Sequence, residues 1–252
     1  MEWRHYKDFQ DVCELACIDE KSFTSFKSSG PFREILENVS ESLGKTLFEK
    51  LQLAQFPPEL WHELIRNDEH GNPLRFEYPG VQNTLLLSPT TLRYIYFGKE
   101  MVDEMLKNKL DNIHIIEIGG GYGGQAYILY VLCRFFNIRI SSYCLLDHPS
   151  VCTLQLKYLN MLLPDVKNVF LPAPTNVEEI DYCISNYCFG EITKSIQDFY
   201  WTTIVEKAKH GFMIYNTQPV YPKFVSSSSS ALKFTVVLET PQTGRINVKI
   251  TW

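Results

Sequence analysis

Along the first 110 residues apolar positions recur mostly at helical spacing. Phe9, Val12, Cys13, Ala16 and Cys17 predict a helix over Phe9–Cys17. The stretch KSFTSFKSSGP, residues 21–31, interrupts the period with Ser, Gly and Pro. It resumes through Ile35, Leu36, Val39, Leu43, Leu47, Leu51 and Ala54, which predicts one helix over Arg33–Gln55 with Gly44 as a weak point. Pro57-Pro58 opens a short helix carrying Leu60, Trp61, Leu64 and Ile65. Residues 67–73 (NDEHGNP) and 78–80 (YPG) read as irregular. Ser88-Pro89 starts another helix, with serine as cap and proline at the first helical position. Its apolar face is Leu92, Ile95, Tyr96, Met101, Val102 and Met105.

From Asn112 onward strand-like and helix-like stretches alternate, the pattern of a mostly parallel sheet with helices between its strands. The predicted strands are 113–118, 138–146, 168–171, 180–187 and 211–215, with helices over 125–136, 149–163 and 192–209. Phe234–Leu238 and Ile246–Trp252 flank TPQTGR (240–245) and read as a terminal antiparallel hairpin. Five serines at 226–230 read as a mobile loop. The fold class is therefore α/β, with a helical cap over 1–110 and a sheet domain over 111–252. The cap is expected to cover a ligand cleft and to offer a surface for homodimer contacts.

Composition narrows this picture. In 252 residues, 45% hydrophobic content is ample for a core, and a net charge of −5 argues against a general nucleic-acid surface. Seven cysteines form no C-x-x-C pair and several lie in apolar segments, so they read as free thiols of a reducing compartment. The polar N-terminus MEWRHYKDFQ shows no signal peptide, and no apolar run is long enough to cross a bilayer. The expectation is a soluble, cytoplasmic protein.

The chemistry centres on IHIIEIGGGYGG, residues 113–124. An apolar strand runs into a glycine turn and then an apolar helix, the opening of a nucleotide-binding α/β unit. Glycines permit positive φ there and let a ligand lie against the main chain. Gly119, Gly121 and Gly124 satisfy the dinucleotide pattern G-x-G-x-x-G. Glu117, Gly119, Gly121 and Gly123 equally satisfy E-x-G-x-G-x-G, which resembles the first motif of class I S-adenosylmethionine (SAM) methyltransferases. Glu117 leans toward the second, because a carboxylate at the end of a buried strand is costly without a partner and an aminoacyl ammonium would supply one. Five parallel strands closed by a hairpin also resemble the Rossmann-like sheet of that class, whereas a dinucleotide domain more often continues with a sixth parallel strand.

Ligands of open α/β sheets sit at the carboxyl ends of the strands. That places Glu117, Gly119, Gly120, Gly121, Gly123, Asp147, Leu171, Pro172 and Asn186 as candidate cofactor contacts. Asp147 would take a ribose diol or else cap the following helix; Leu171 to Ala173 would border adenine. His148 would touch adenosine or cap the same helix.

LLDHPSV (145–151) after EIGGGYGGQ (117–125) is similar to small-molecule O-methyltransferases. With GNP (71–73), SPTTLRY (88–94), SNYCFGE (185–191), GFMIYN (211–216) and ETPQTGRINVKITW (239–252), the chain resembles the sugar O-methyltransferases of bacterial and viral polysaccharide gene clusters. The resemblance implies SAM as cofactor and a hydroxyl of a glycan or nucleotide sugar as acceptor. Methyl transfer from a sulfonium needs an in-line oxygen and a proton acceptor. Glu191, His148 and Glu239 are the candidate bases, in that order, and each could instead be structural. Arg93 and Tyr94 from the cap, with Tyr122 and Gln125, are candidate substrate contacts. No adjacent acidic pair follows the fourth strand, so no metal is assigned.

Two rivals stay open. An NAD(P)-dependent sugar oxidoreductase or epimerase would use the same glycines and Asp147, but no Tyr-x-x-x-Lys follows the glycine turn. A protein that binds SAM without turnover is the other.

Overall fold

A computed structural model describes residues 4–79, 84–166, 168–172, 179–216, 232–243 and 246–252. The serine run 226–230, Gly80, Ala173 and Pro174, and Gly244 and Arg245 lie outside the described residues. The chain forms two compact units, one of Met1–Leu110, Gly121–Ile138 and His148–Lys167, the other of Asp111–Gly120, Arg139–Asp147 and Asn168–Trp252.

The first unit is helical. Its elements are α1 (Arg4–Ile18), α2 (Glu20–Phe23), α3 (Gly30–Ile35), α4 (Glu41–Gln52), α5 (Pro58–Ile65) and the long α6 (Pro89–Lys107), together with α7 (Gly124–Phe135) and α8 (Pro149–Leu162). The single helix expected over 33–55 is in fact two. The chain leaves the helix after Ile35 and starts again at Ser40, whose hydroxyl accepts from the Leu43 amide at 3.2 Å. Ser88 caps α6 as expected, accepting from the Thr91 amide. The segment read as irregular around Tyr78 is instead a strand, β1 (Phe76–Pro79), paired antiparallel with β2 (Thr84–Leu87). Strands this short carry too few alternations to be read from a period.

A buried polar knot ties this unit together. Lys27 is fully buried and donates to the Asn67 carbonyl at 2.5 Å and the Tyr158 hydroxyl at 3.1 Å. Its ammonium lies 4.2 Å from the Tyr122 ring centroid and 4.7 Å from that of Tyr158. Beside it Asp68 accepts from the Ser88 amide and from the hydroxyls of Ser88 and Thr91. A buried charge costs less when hydrogen bonds and nearby charge answer it: Asp68 accepts three hydrogen bonds, and the Lys27 ammonium makes two and lies over two tyrosine rings. Burial still draws Lys27 down to about 8.

The second unit carries the sheet. Its strands β3 (Ile113–Ile118), β4 (Ile140–Leu146), β5 (Phe170–Pro172), β6 (Tyr182–Asn186), β7 (His210–Tyr215), β8 (Thr235–Leu238) and β9 (Val248–Thr251) stand in the order β5-β4-β3-β6-β7-β9-β8. The first five are parallel to one another, and β9 runs antiparallel to both β7 and β8. The central strands β3, β6 and β7 are buried along nearly their whole length, which is why they read as continuous apolar runs. The edge strand β8 is mostly exposed. The α/β sheet with a C-terminal hairpin is therefore the one expected.

The helix expected over 192–209 is shorter and changes character. It is α9 (Lys194–Tyr200) followed by a wide π turn over Trp201–Val205, closed by the Glu206 amide on the Trp201 carbonyl. Trp201, Ile204, Val205 and Ala208 share a core with Ile116, Cys144, Met213 and Ile250.

The terminal Trp252 has a definite seat. Its indole nitrogen donates to the Ala208 carbonyl at 3.3 Å, and its ring lies where a side chain at Gly211 would be. Gly211→Ala would push a methyl into that ring; the expected outcome is a loss of about 1–3 kcal/mol in urea denaturation, with the m-value unchanged.

Candidate functional site

In the second unit the chain moves outward from β3 to β4 and β5, then returns to place β6 against the other side of β3. The reversal point, between the carboxyl ends of β3 and β6, is where open α/β sheets hold ligands. Three contacts hold the start of the glycine turn there. The Gly119 amide donates to the Leu146 carbonyl at the end of β4, at 2.8 Å. The Ser185 hydroxyl on β6 donates to the Ile118 carbonyl at 2.9 Å and accepts from the Phe189 amide at 3.2 Å. Cys188, in the loop after β6, packs directly onto Gly119, where any Cβ would overlap its side chain.

Positive φ in the turn is as expected: 78° at Gly119, 54° at Gly121 and 92° at Gly123. The expectation that the missing Cβ atoms leave room for a ligand needs correction. At Gly119 that room is taken by Cys188 of the second unit, and within the first unit Leu36 and Leu159 take it at Gly121 and Gly123. The glycines let the chain pack closely on itself on that side.

Glu117 is 2% exposed, two residues before the turn. In-phase pairing of β3 with β4 sets Tyr143 opposite Ile115, so Tyr143 and Glu117 share a face of the sheet. The Tyr143 hydroxyl donates to Glu117 Oε2 at 2.8 Å, and among the described residues it is the carboxylate's one hydrogen-bond donor. Burial, with a further push from Asp147, raises Glu117 to about 7 despite that bond.

Asp147 directly follows β4 and is partly exposed. It does not occupy the capping position of α8, which belongs to His148. The His148 side chain makes no capping bond to the helix; its Nδ1 sits 3.0 Å from the Ser150 hydroxyl. Leu171 on β5 is 41% exposed, an apolar surface at the carboxyl end of the sheet, and Pro172 pairs with Leu145 beside it. Asn186 ends β6, paired with Ile214. Glu191 is exposed and accepts from Asn216 Nδ2 at 2.6 Å, just past the end of β7.

One side chain reports how these groups converge. The Cys188 thiol is held well above its ordinary value by burial and then by Asp147, Glu191 and Glu117. Among the described residues, the charges that act on it are those three carboxylates. Glu117 and Asp147 stand at the carboxyl ends of the neighbouring strands β3 and β4, and Glu191 lies in the loop after β6. Among the described residues no three His, Cys, Asp or Glu side chains close into a metal-binding group.

Other expected site residues have interior duties. Glu239 is 1% exposed; it accepts from Asn247 Nδ2 at 2.7 Å, from the Thr243 hydroxyl at 3.1 Å and from the Tyr187 hydroxyl. A carboxylate so engaged latches the hairpin to the loop after β6. In the first unit the Arg93 guanidinium donates to the Leu36 carbonyl and to Asn38 Oδ1, while Gln125 Nε2 donates to the Tyr94 carbonyl. Tyr94 is 8% exposed, and Tyr122 is fully buried against Lys27. These four side chains, expected as substrate contacts, are buried and engaged within this unit.

Sequence reasoning places Ser185 to Glu191 on the ligand side, which takes in Ser185 and Cys188 without a role for either, and it misses Tyr143 and Asn216. Ser185 and Cys188 lie inside the quoted SNYCFGE stretch, and Asn216 stands directly after the fifth strand. Tyr143 could be found only through strand register, which no single strand displays.

No protein-family model matches the sequence, and no curated protein does. Among solved structures the fold is similar to a SAM-dependent methyltransferase from Aquifex aeolicus, at 12% identity and TM-score 0.41 over 61% of this chain and 87% of that one. It is similar to the precorrin-6y C5,15-methyltransferase from Geobacter metallireducens, at 12% identity and TM-score 0.41 over 56% and 81%. It is also similar to the CMeT domain of the citrinin polyketide synthase, at 15% identity and TM-score 0.48 over 65% and 53%. Likenesses at this level do not separate one activity from another.

Proposed function

We propose that this chain is a SAM-dependent methyltransferase that transfers a methyl group to a hydroxyl of a sugar. The observation that carries the reading is Glu117, a carboxylate 2% exposed whose one hydrogen-bond donor among the described residues is Tyr143, at the carboxyl end of β3 beside the β4 end that Asp147 follows. A site of that charge favours a cationic nucleoside with an ammonium and a sulfonium. It disfavours the doubly anionic pyrophosphate of a dinucleotide, which like charges would repel. The sugar acceptor rests on the resemblance of SNYCFGE and ETPQTGRINVKITW alone.

SAM fits the donors present. Glu117 would receive the aminoacyl ammonium, which relieves the cost of its burial. Asp147, at the carboxyl end of β4, would take the ribose diol, and Leu171 would lie against adenine. Bound there, the cofactor would supply a methyl group already attached to a good leaving group. The chain's own part is to orient the acceptor hydroxyl and take its proton. Glu191 is the proposed base, because it is an exposed carboxylate in the loop after β6, oriented by Asn216 at 2.6 Å.

Three outcomes test this. In calorimetry the protein binds SAM and not NAD, and Glu117→Gln or Asp147→Ala weakens SAM about tenfold or more, the scale of a lost charged hydrogen bond; no binding of SAM to the unaltered protein ends the reading. Glu191→Gln keeps SAM affinity but lowers methyl transfer from labelled SAM to sugar nucleotides at least about a hundredfold. Turnover that survives removes Glu191 as base, and SAM binding without turnover on any acceptor supports the non-catalytic rival. Stability should also depend on pH through Glu117. Its folded value of about 7 exceeds the ordinary 4.5, so the folded state binds the proton more tightly. That contribution is complete below about 4.5 and is lost as pH rises through about 7, a swing of roughly 3 kcal/mol. Thermal melts of Glu117→Gln should lack this fall and lie above the unaltered protein at pH 8.

A further inference from the structure

The GNP stretch at 71–73 has no part in the site above. In the first unit it lies along an open cleft of ≈ 400 Å³ lined by Ser28, Arg33, Asn72, Pro73, Leu74, Arg75 and Leu86. That volume is within the range of small-ligand sites. Two features give the cleft its chemistry. Arg33 and Arg75 are both exposed, and among the described residues neither guanidinium has a carboxylate or any other hydrogen-bond partner. Most other arginines of the described chain are paired: Arg66 with Glu69, Arg134 with Glu63, Arg139 with Asp111, and Arg93 with backbone and Asn38. Leu74 and Leu86, meanwhile, are 58% and 48% exposed on the same cleft. A wall that combines two unpaired guanidiniums with two bare leucines is suited to a ligand that carries oxyanions at one end and a ring at the other.

The wall is held in place from below. Gly71 and Asn72 both take left-handed φ, 85° and 51°. A Cβ at Gly71 would stand 2.6 Å from Lys27 Cγ, so the loop rests on the stem of the buried lysine. Lys27 in turn is locked by Asn67 and Tyr158. The cleft is thus backed by the polar knot of this unit, and Pro73 is buried where Asn72, Leu74 and Arg75 are exposed. A backing of this kind lets the groups be placed before the ligand arrives, so little ordering is needed on binding.

We propose that this cleft is a binding site for a diphosphate ester of nucleotide size, with Arg33 and Arg75 on the phosphates and Leu74 and Leu86 against the ring portion. The inference does not rest on methyl transfer, and its test uses no methyl donor. Uridine diphosphate and inorganic pyrophosphate are titrated into the full chain by calorimetry at low and at physiological salt. Saturable binding of uridine diphosphate is expected, with pyrophosphate at least about fivefold weaker for want of the leucine wall. The double variant Arg33→Gln/Arg75→Gln should weaken uridine diphosphate about tenfold or more, with the melting temperature unchanged because both side chains are exposed. Glu117→Gln, in the other unit, should leave this binding as it is. Absence of saturable binding overturns the proposal, as does affinity that survives the double arginine variant or falls in Glu117→Gln, which would put the nucleotide at the glycine turn. Equal affinity for the two probes would overturn the part assigned to the leucines.

Discussion

The second unit is organised around a carboxylate where the hydrophobic effect would place an alkyl group. Glu117 stands in a strand buried along nearly its whole length, one neutral donor from Tyr143 is its hydrogen-bond partner among the described residues, and a second carboxylate raises it further. Such a group costs stability in the ionised form, so its presence needs a compensating partner or a function. The surrounding frame keeps it there: β4 and β6 both bond to the end of β3, and Cys188 closes over Gly119. The strand therefore cannot slip to turn the carboxylate toward water, since a one-residue slip would reverse every side chain of β3.

The glycines and the acidic residues divide the labour at that point. Glycine lets three strand ends and a cysteine come together without a Cβ between them. Burial, and then the carboxylates of Asp147, Glu191 and Glu117, hold the thiol well above its ordinary value.

The helical unit solves a different problem. It buries a lysine, an aspartate and several tyrosines, and it keeps them by giving nearly every polar atom a partner from a distant part of the chain. Arg93, Tyr94, Tyr122 and Gln125 belong to this interior. Their residue types suit a substrate as well as a core, and only their surroundings tell the two apart. Among the described residues, the arginines that do face solvent unpaired, Arg33 and Arg75, stand in stretches with no motif of their own.

How much was legible follows from the range of each interaction. Local signals were enough for the α/β pattern, the serine cap of α6, the glycine turn and the hairpin, because hydrophobic period, capping and turn chemistry act within a few residues. They were also enough to place Glu117 and Asp147 at strand ends. The break at residues 36–40, the short β1–β2 pair and the π turn at Trp201–Val205 escaped, since each trades local regularity for a packing or pairing gain elsewhere. The sequence by itself determined which stretches become strands and helices and that glycines and a carboxylate meet at one strand end. Only the tertiary structure decided that Cys188 fills the space over Gly119, that Tyr143 answers Glu117, that Glu191 joins the other carboxylates and that Glu239 is a latch. Those outcomes depend on register and burial between segments far apart in the chain, which no local pattern encodes.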